Sequence, residues 1–243
     1  MKVIYYRSQN GNFGDDLNSV LWKAVLRPAC FEADDAVLLG IKPQLLDEVS
    51  AALAPAIGAD SVLLSILAGV EVASLAARFP ATGAIVRIMP NLAAAIGKSP
   101  LGLFGAGLDE AQRRAVDALL TPLGTAEWLA SEDLLDAVTA LAGSGPAFVY
   151  RFIAALAEGG AALGLDPAQA DRLARATVEG AAMLAAASAD DPAELARRVT
   201  SPGGTTAAGL AVLDQDAALA RLVAATLKAA RDRGAELAAA ARG

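Results

Sequence analysis

The segment SPGGTT (residues 201–206) gathers groups that can bind a small anion without a metal. Gly203 and Gly204 carry no Cβ, so the backbone there can approach a ligand closely. Their amides, with those of Thr205 and Thr206, open onto a predicted helix start and can hold a carboxylate. Ser201 adds a hydroxyl donor. The same letters also suit an ordinary Ser-Pro-Gly-Gly connector with a threonine helix cap. Three other places stand at predicted strand ends, where parallel sheets take their ligands: Ile41-Lys42-Pro43, Ala68-Gly69 and Asn91. The small Ala68 and Gly69 allow close approach. Lys42 is either a ligand contact or a solvated loop lysine. Asn91 either hydrogen-bonds a ligand or closes an Asx turn on its own backbone. GSGPA (residues 143–147) permits close helix packing, and Arg198 either reaches an anion held by the SPGGTT loop or lies in solvent.

What is missing narrows the chemistry. The 243 residues include no histidine, which excludes Ser-His-Asp and Cys-His catalysis. The single Cys30 excludes an internal disulfide and a Cys-rich zinc site, and no metal is expected. There are 20 Lys+Arg against 27 Asp+Glu, a net charge of −7 and a pI near 4.7, unlike a protein that must neutralise nucleic-acid phosphates. A hydrophobic fraction of 55% is enough to fill a core, and the length suits one or two domains. The longest uncharged runs, residues 137–150 and 199–213, contain Gly and Pro and fall short of the roughly 18 residues of a membrane span. No apolar stretch of a secretory leader follows Lys2. A soluble, cytosolic protein is expected, with no membrane partner.

These residues need elements to hold them. Residues 2–7 (KVIYYR), 36–41 (AVLLGI), 62–67 (VLLSIL) and 84–89 (AIVRIM) are short apolar or β-branched runs, and the last three suit strands buried on both faces. Helical spacing appears in residues 15–26, 44–53 and 72–78 between them. Alternating β and α predicts a doubly wound parallel sheet. From residue 131 onward the strand pattern stops and helices follow one another; Asp166-Pro167 and Asp191-Pro192 each supply a cap and a first-turn proline. The predicted fold class is therefore α/β plus all-α, with a Rossmann-like domain over residues 1–130 and an all-helical domain over 131–243. The later helices are apolar around much of their circumference, which predicts a homo-oligomer, at least a dimer. A self-contained monomeric bundle is the alternative.

Two stretches, DAVTALAGSGPAFVY (136–150) and RVTSPGGTTAAGLAVL (198–213), resemble the C-terminal half of pyrroline-5-carboxylate reductases, the last enzymes of proline synthesis. The likeness continues upstream in order. GIKPQ (40–44) is similar to the family's strand-end VKPQ, SILAG (65–69) to its S-x-A-A-G turn, and RIMPN (87–91) to its R-x-MPN strand end. The resemblance covers about residues 34–243. Leu92-Ala93 departs from the Thr-Pro that usually follows MPN.

The opening does not follow that family. Where a G-x-G-x-x-G-type turn would seat the cofactor pyrophosphate, the chain reads SQNGNFGDD, and Asp15 and Asp16 carry the wrong charge for phosphate. NFGDDLNSVLW looks instead like the start of polysaccharide pyruvyl transferases. One strand-helix-strand unit of the dinucleotide fold is also missing, including the strand whose end discriminates NAD from NADP. The expectation is a foreign opening joined to a reductase with an incomplete Rossmann-like sheet; a divergent member with a minimal sheet is the alternative.

The resemblance implies hydride transfer from NADPH (or NADH) to the C=N bond of 1-pyrroline-5-carboxylate, giving L-proline. It implies that Thr206 meets the ring nitrogen and that Ser201, Gly203, Gly204 and Thr205 hold the substrate carboxylate. It implies cofactor contacts from Ile41, Lys42, Pro43, Ala68, Gly69 and Asn91. Two rivals stand beside this reading: an impaired remnant that dimerises but binds cofactor poorly, and a pyruvyl transferase fragment.

Overall fold

Among the described residues six strands lie side by side in chain order in one sheet: β1 (Lys2–Tyr5), β2 (Ala36–Gly40), β3 (Val62–Ser65), β4 (Ala84–Met89), β5 (Ser99–Ala106) and β6 (Gly124–Trp128). The structure is a computed structural model that describes residues 2–5, 36–41 and 43–240. The predicted helix at 15–26, the turn before it and Lys42 lie outside the described residues. β1 to β4 are mutually parallel; β5 runs antiparallel to β4, and β6 parallel to β5.

The three apolar runs at 36–41, 62–67 and 84–89 are strands, as their composition predicts. In the second and third of them, burial on both faces explains the unbroken apolar pattern. Val62, Leu64, Val86 and Ile88 face one cluster, shared with Leu101, Leu103, Val116, Leu119 and Leu120. Leu63 and Ile85 face the other, with Leu46, Leu67, Leu75 and Phe79. The period of two thus sends alternate residues to opposite layers. α1 (Leu46–Leu53) and α2 (Val72–Arg78) cover the second face, and α3 (Glu110–Leu120) the first. Helices on both faces match the expected layering. The strand order does not: it shows no reversal among the described strands, and such a reversal marks the ligand crevice of doubly wound sheets.

β5 and β6 are additions to the sequence reading. Pro100 and Gly102 make residues 99–106 look like a loop. Pro100 is tolerated because it is the second residue of the strand. Gly102 is required, since a Cβ there would stand 2.6 Å from the Val138 side chain. α3 opens on a capping box: Gln112 N–H donates to Asp109 Oδ1 at 2.7 Å and Asp109 N–H to Gln112 Oε1 at 3.0 Å.

Beyond β6 the chain is helical: α4 (Leu134–Val138), a π turn (Thr139–Gly143), α5 (Gly145–Ala162), α6 (Pro167–Ala187), α7 (Pro192–Arg198), α8 (Thr205–Asp214) and α9 (Ala218–Ala240). Both predicted proline starts are present. Asp166 accepts from the amides of Ala168 and Gln169 at 3.1 Å, and Asp191 accepts from Glu194 N–H at 2.8 Å. GSGPA is the expected helix break with a first-turn proline: the π turn ends at Gly143, Ser144 is the N-cap of α5, and Pro146 lies in its first turn. By length and composition the helical run Leu134–Ala162 is apolar enough to cross a membrane, and little of it is buried within the chain.

The described residues divide into two compact units. One comprises residues through Gly143 together with those from Ala229 on; the other is Ser144–Lys228.

Candidate active site

In the first unit the predicted strand-end residues gather at the carboxyl ends of three adjacent parallel strands. Ile41 follows β2 and is buried, and Pro43 opens a 3-10 turn, Pro43–Leu45. After β3 the chain turns at Ala68-Gly69. Ala68 is exposed, and Gly69 takes φ +74°, a left-handed conformation that glycine adopts without a Cβ clash. A Cβ at Gly69 would also stand 3.3 Å from the Ala238 Cβ of α9, within the same unit. Beside this turn is a cavity of about 290 Å³, bordered by Gly69, Glu71, Arg87, Glu132, Asp133 and Asp136.

Asn91, after β4, is 4% exposed and its side chain is engaged at both ends. Its Oδ1 accepts from Ala93 N–H at 2.9 Å, the Asx turn, and its Nδ2 donates to the Ala142 carbonyl at 2.9 Å. Its backbone N–H donates to Ser99 Oγ at 2.9 Å. Asn91 therefore shapes the strand end and ties it to the π turn.

One pair escaped the sequence reading. Arg87 lies in β4, with its side chain 8% exposed, and its Nη1 donates to Glu132 Oε1 at 2.7 Å. A single charged residue in the otherwise apolar AIVRIM was the available signal, because a buried cation requires a partner. Glu132 itself, 45 residues away, carried no such sign.

In the second unit the SPGGTT residues form the approach to α8. Gly204 N–H donates to the Ser201 carbonyl at 3.1 Å, closing a turn in which Gly203 takes φ +68°. Gly204 is the N-cap residue and supplies no side-chain cap. The threonines are therefore the first two helical residues, not the cap that the alternative reading required. Ser201, Gly203, Thr205 and Thr206 are exposed, and among the described residues no hydrogen bond involves the Thr206 hydroxyl. Arg198 is paired with Asp190 and with Glu194, the latter at 3.2 Å. It is committed to its own helix and the turn before it. The strand-end group and the SPGGTT group thus fall in different units.

The residues present fit the nicotinamide end of a dinucleotide: small Ala68 and a left-handed Gly69 end a parallel strand. The pyrophosphate end would fall to the turn in residues 6–35, outside the described residues, where the sequence lacks G-x-G. Among the described residues no group of His, Cys, Asp and Glu could hold a metal ion.

Comparison with known proteins agrees with the motif order. Residues 132–237 match the family of pyrroline-5-carboxylate reductase dimerisation domains, a stretch that takes in all of the apolar run Leu134–Ala162 and all of SPGGTT. The pyrroline-5-carboxylate reductase of Pseudomonas aeruginosa is 42% identical over 205 residues, covering 84% of this chain and 75% of that one. The solved pyrroline-5-carboxylate reductase of Coxiella burnetii is 32% identical with a TM-score of 0.79, covering 84% of this chain and 76% of that one. The Plasmodium falciparum pyrroline carboxylate reductase, solved with NADP bound, is 21% identical with a TM-score of 0.73 over 90% and 93% of the two chains, a likeness of fold. None of these comparisons supports the pyruvyl transferase reading of residues 1–30. A short Gly- and Asp-rich stretch is a weak signal beside motifs repeated in order over two hundred residues. This chain belongs to the pyrroline-5-carboxylate reductase family.

Proposed function

We propose that this chain reduces the C=N bond of 1-pyrroline-5-carboxylate to give L-proline, with NADPH or NADH as hydride donor. The observation that carries the reading is the SPGGTT loop. It offers a left-handed glycine, an uncapped helix start and an exposed hydroxyl on Thr206. The backbone amides at Gly203 and Thr205, with the Ser201 hydroxyl, hold the carboxylate, on a turn that Gly204 closes through its own N–H. They do so equally before and during reaction, so they set binding. Thr206 hydrogen-bonds the ring nitrogen, whose charge changes most as the bond is reduced, so it acts on the transition state. When bound, the nicotinamide supplies the hydride. Ile41, Lys42, Pro43, Ala68 and Gly69 form its platform, and Asn91 keeps the neighbouring strand end in shape.

In this reading residues 1–130 serve the cofactor and 131–243 serve the substrate and the pairing with a second copy. Apolar helices that leave most large side chains exposed support that pairing. The acidic balance supports the absence of a nucleic-acid partner, and a biosynthetic role supports the cytosol.

A second reading is favoured by one feature, the carboxylates of Asp15 and Asp16 in a turn without G-x-G. There the chain dimerises but holds cofactor poorly. One titration separates the two: NADPH binding by calorimetry, then oxidation of NADPH with added 1-pyrroline-5-carboxylate. Weak but measurable binding with substrate-dependent oxidation is expected. A dimer that neither binds nor oxidises NADPH would establish the second reading.

A further inference from the structure

We propose that Glu132 is a positioning residue that fixes the Ala68-Gly69 turn, and through it the cofactor platform. This rests on the reading of the strand ends as that platform. One carboxylate oxygen does the work. Glu132 Oε1 accepts from Arg87 Nη1 at 2.7 Å and from Val72 N–H at 2.7 Å. Val72 is the first residue of α2, three places after Gly69, and its amide has no acceptor within that helix. Arg87 lies two places after Ile85 in β4, so its side chain leaves the sheet on the face that α1 and α2 cover. Glu132 is 60 residues beyond Val72, after β6. A single atom therefore joins the β3–α2 turn, the neighbouring strand β4 and the entry to α4.

Between the buried Leu67 and Val70 the turn has no side-chain anchor of its own. Ala68 is exposed and Gly69 takes φ +74°, so neither residue anchors the turn by a buried side chain. Glu132 also borders the cavity beside Gly69, so the group that fixes the turn is a wall of the space next to it. An ionised carboxylate suits the position: it is acceptor-only and can take an amide and a guanidinium together. Arg87, almost wholly buried, holds that carboxylate in place and is itself neutralised by it.

The test uses the full chain and two readouts. One is amide hydrogen exchange over residues 68–75 without ligand; the other is the NADPH dissociation constant, taken well below the melting temperature. Glu132→Ala is expected to speed exchange at Val72 and to weaken NADPH binding, each about tenfold. Glu132→Gln keeps an oxygen for Val72 N–H and should recover both to within about threefold. Val116→Ala, in the core of the opposite face, should lower the melting temperature and leave both readouts alone. If Glu132→Ala does not fold because Arg87 is left unpaired, the double variant Arg87→Met/Glu132→Ala removes both charges. It should still show the fast Val72 exchange and the weakened binding. Wild-type exchange at Val72 in the Ala or the double variant would overturn the proposal. So would fast exchange with NADPH affinity unchanged. A wild-type chain that binds no NADPH would instead sink the reductase reading, and exchange alone would then decide whether Glu132 fixes the turn.

Discussion

The two compact units use apolar residues in opposite ways. In the first, Leu63, Leu64, Leu75, Leu101, Leu103 and Leu123 are wholly buried within one chain. In the second, among the described residues, only Ala170 and Ala174 are buried hydrophobics, while Tyr150, Leu163, Leu184, Val212 and Leu222 are largely exposed. Hydrophobic content therefore does not decide whether a segment makes its own core. The sheet unit has two faces to cover and helices to cover both. The helical unit has one closely packed hairpin, α5 against α6. There a Cβ on Gly160 would stand 3.3 Å from Leu165 and 3.4 Å from Ala170. The apolar surface left over is that of a partner-binding segment, in keeping with the dimerisation family it matches.

That contrast can be broken most forcefully in the helical unit. Leu184 is 72% exposed and lines an apolar groove with Ala181, Leu195 and Val199. Within one chain, Leu184→Glu should change stability by no more than about 0.5 kcal/mol. In a twofold dimer the carboxylate enters an apolar interface twice, costing roughly 4 kcal/mol, about a thousandfold in dimer dissociation. Sedimentation velocity at micromolar concentration should show monomer. A variant that remains fully dimeric would place the interface elsewhere.

The sheet unit should respond the other way. Leu101 is 0% exposed and packs in the cluster that includes Val116 and Leu120. Leu101→Ala should cost about 3 kcal/mol through lost burial and a residual cavity. Thermal melting should detect the loss, and light scattering should still report the oligomer. A drop in oligomer size without a drop in melting temperature would contradict the division of labour.

Thr206→Val sharpens the comparison at the level of chemistry. The change keeps the volume and removes the hydroxyl of an exposed residue, so folding and assembly should be unaffected. If the hydroxyl meets the ring nitrogen, kcat/KM falls by about 10- to 200-fold, roughly 1.5–3 kcal/mol. Ser201→Ala should raise KM more than it lowers kcat, since a carboxylate contact is equal in ground and transition states. An unchanged kcat/KM in a folded, cofactor-saturated Thr206→Val would reduce SPGGTT to a connector.

Much of this was legible from local pattern. The runs at 36–41, 62–67 and 84–89 announce strands, and Asp166-Pro167 and Asp191-Pro192 announce α6 and α7, because each signal is complete within a few residues. The turn and helix start at SPGGTT were legible for the same reason. What escaped depends on partners distant in sequence. β5 reads as a loop until Val138 explains Gly102, and Glu132 is one acidic residue among several until Arg87 and Val72 meet it. α3 was missed although its Asp109 and Gln112 already spelled a capping box. The strand order, without reversal, follows from which strands pair, and no single stretch encodes that.

The smallest effect expected lies in the charges of the helical unit. The Arg175 guanidinium, hydrogen-bonded to Asp171 at 2.9 Å, holds that carboxyl below its ordinary value. Arg197, hydrogen-bonded to Glu194 at 2.7 Å and 2.6 Å, does the same to Glu194, with Arg198 adding to it. A carboxyl depressed on folding stabilises the folded state above its unfolded pKa, near pH 4, and that contribution is lost as pH falls through the lower folded value. These groups are exposed, so the effect is on the order of a degree in melting temperature and shrinks with added salt. The double variant Asp171→Asn/Glu194→Gln should melt slightly below wild type at pH 6 and low salt. The gap should close as the pH is taken toward 2, and should also close at pH 6 in molar salt. A gap that widened on acidification would mean that these pairs oppose folding, and the second unit would then owe its stability to apolar pairing alone.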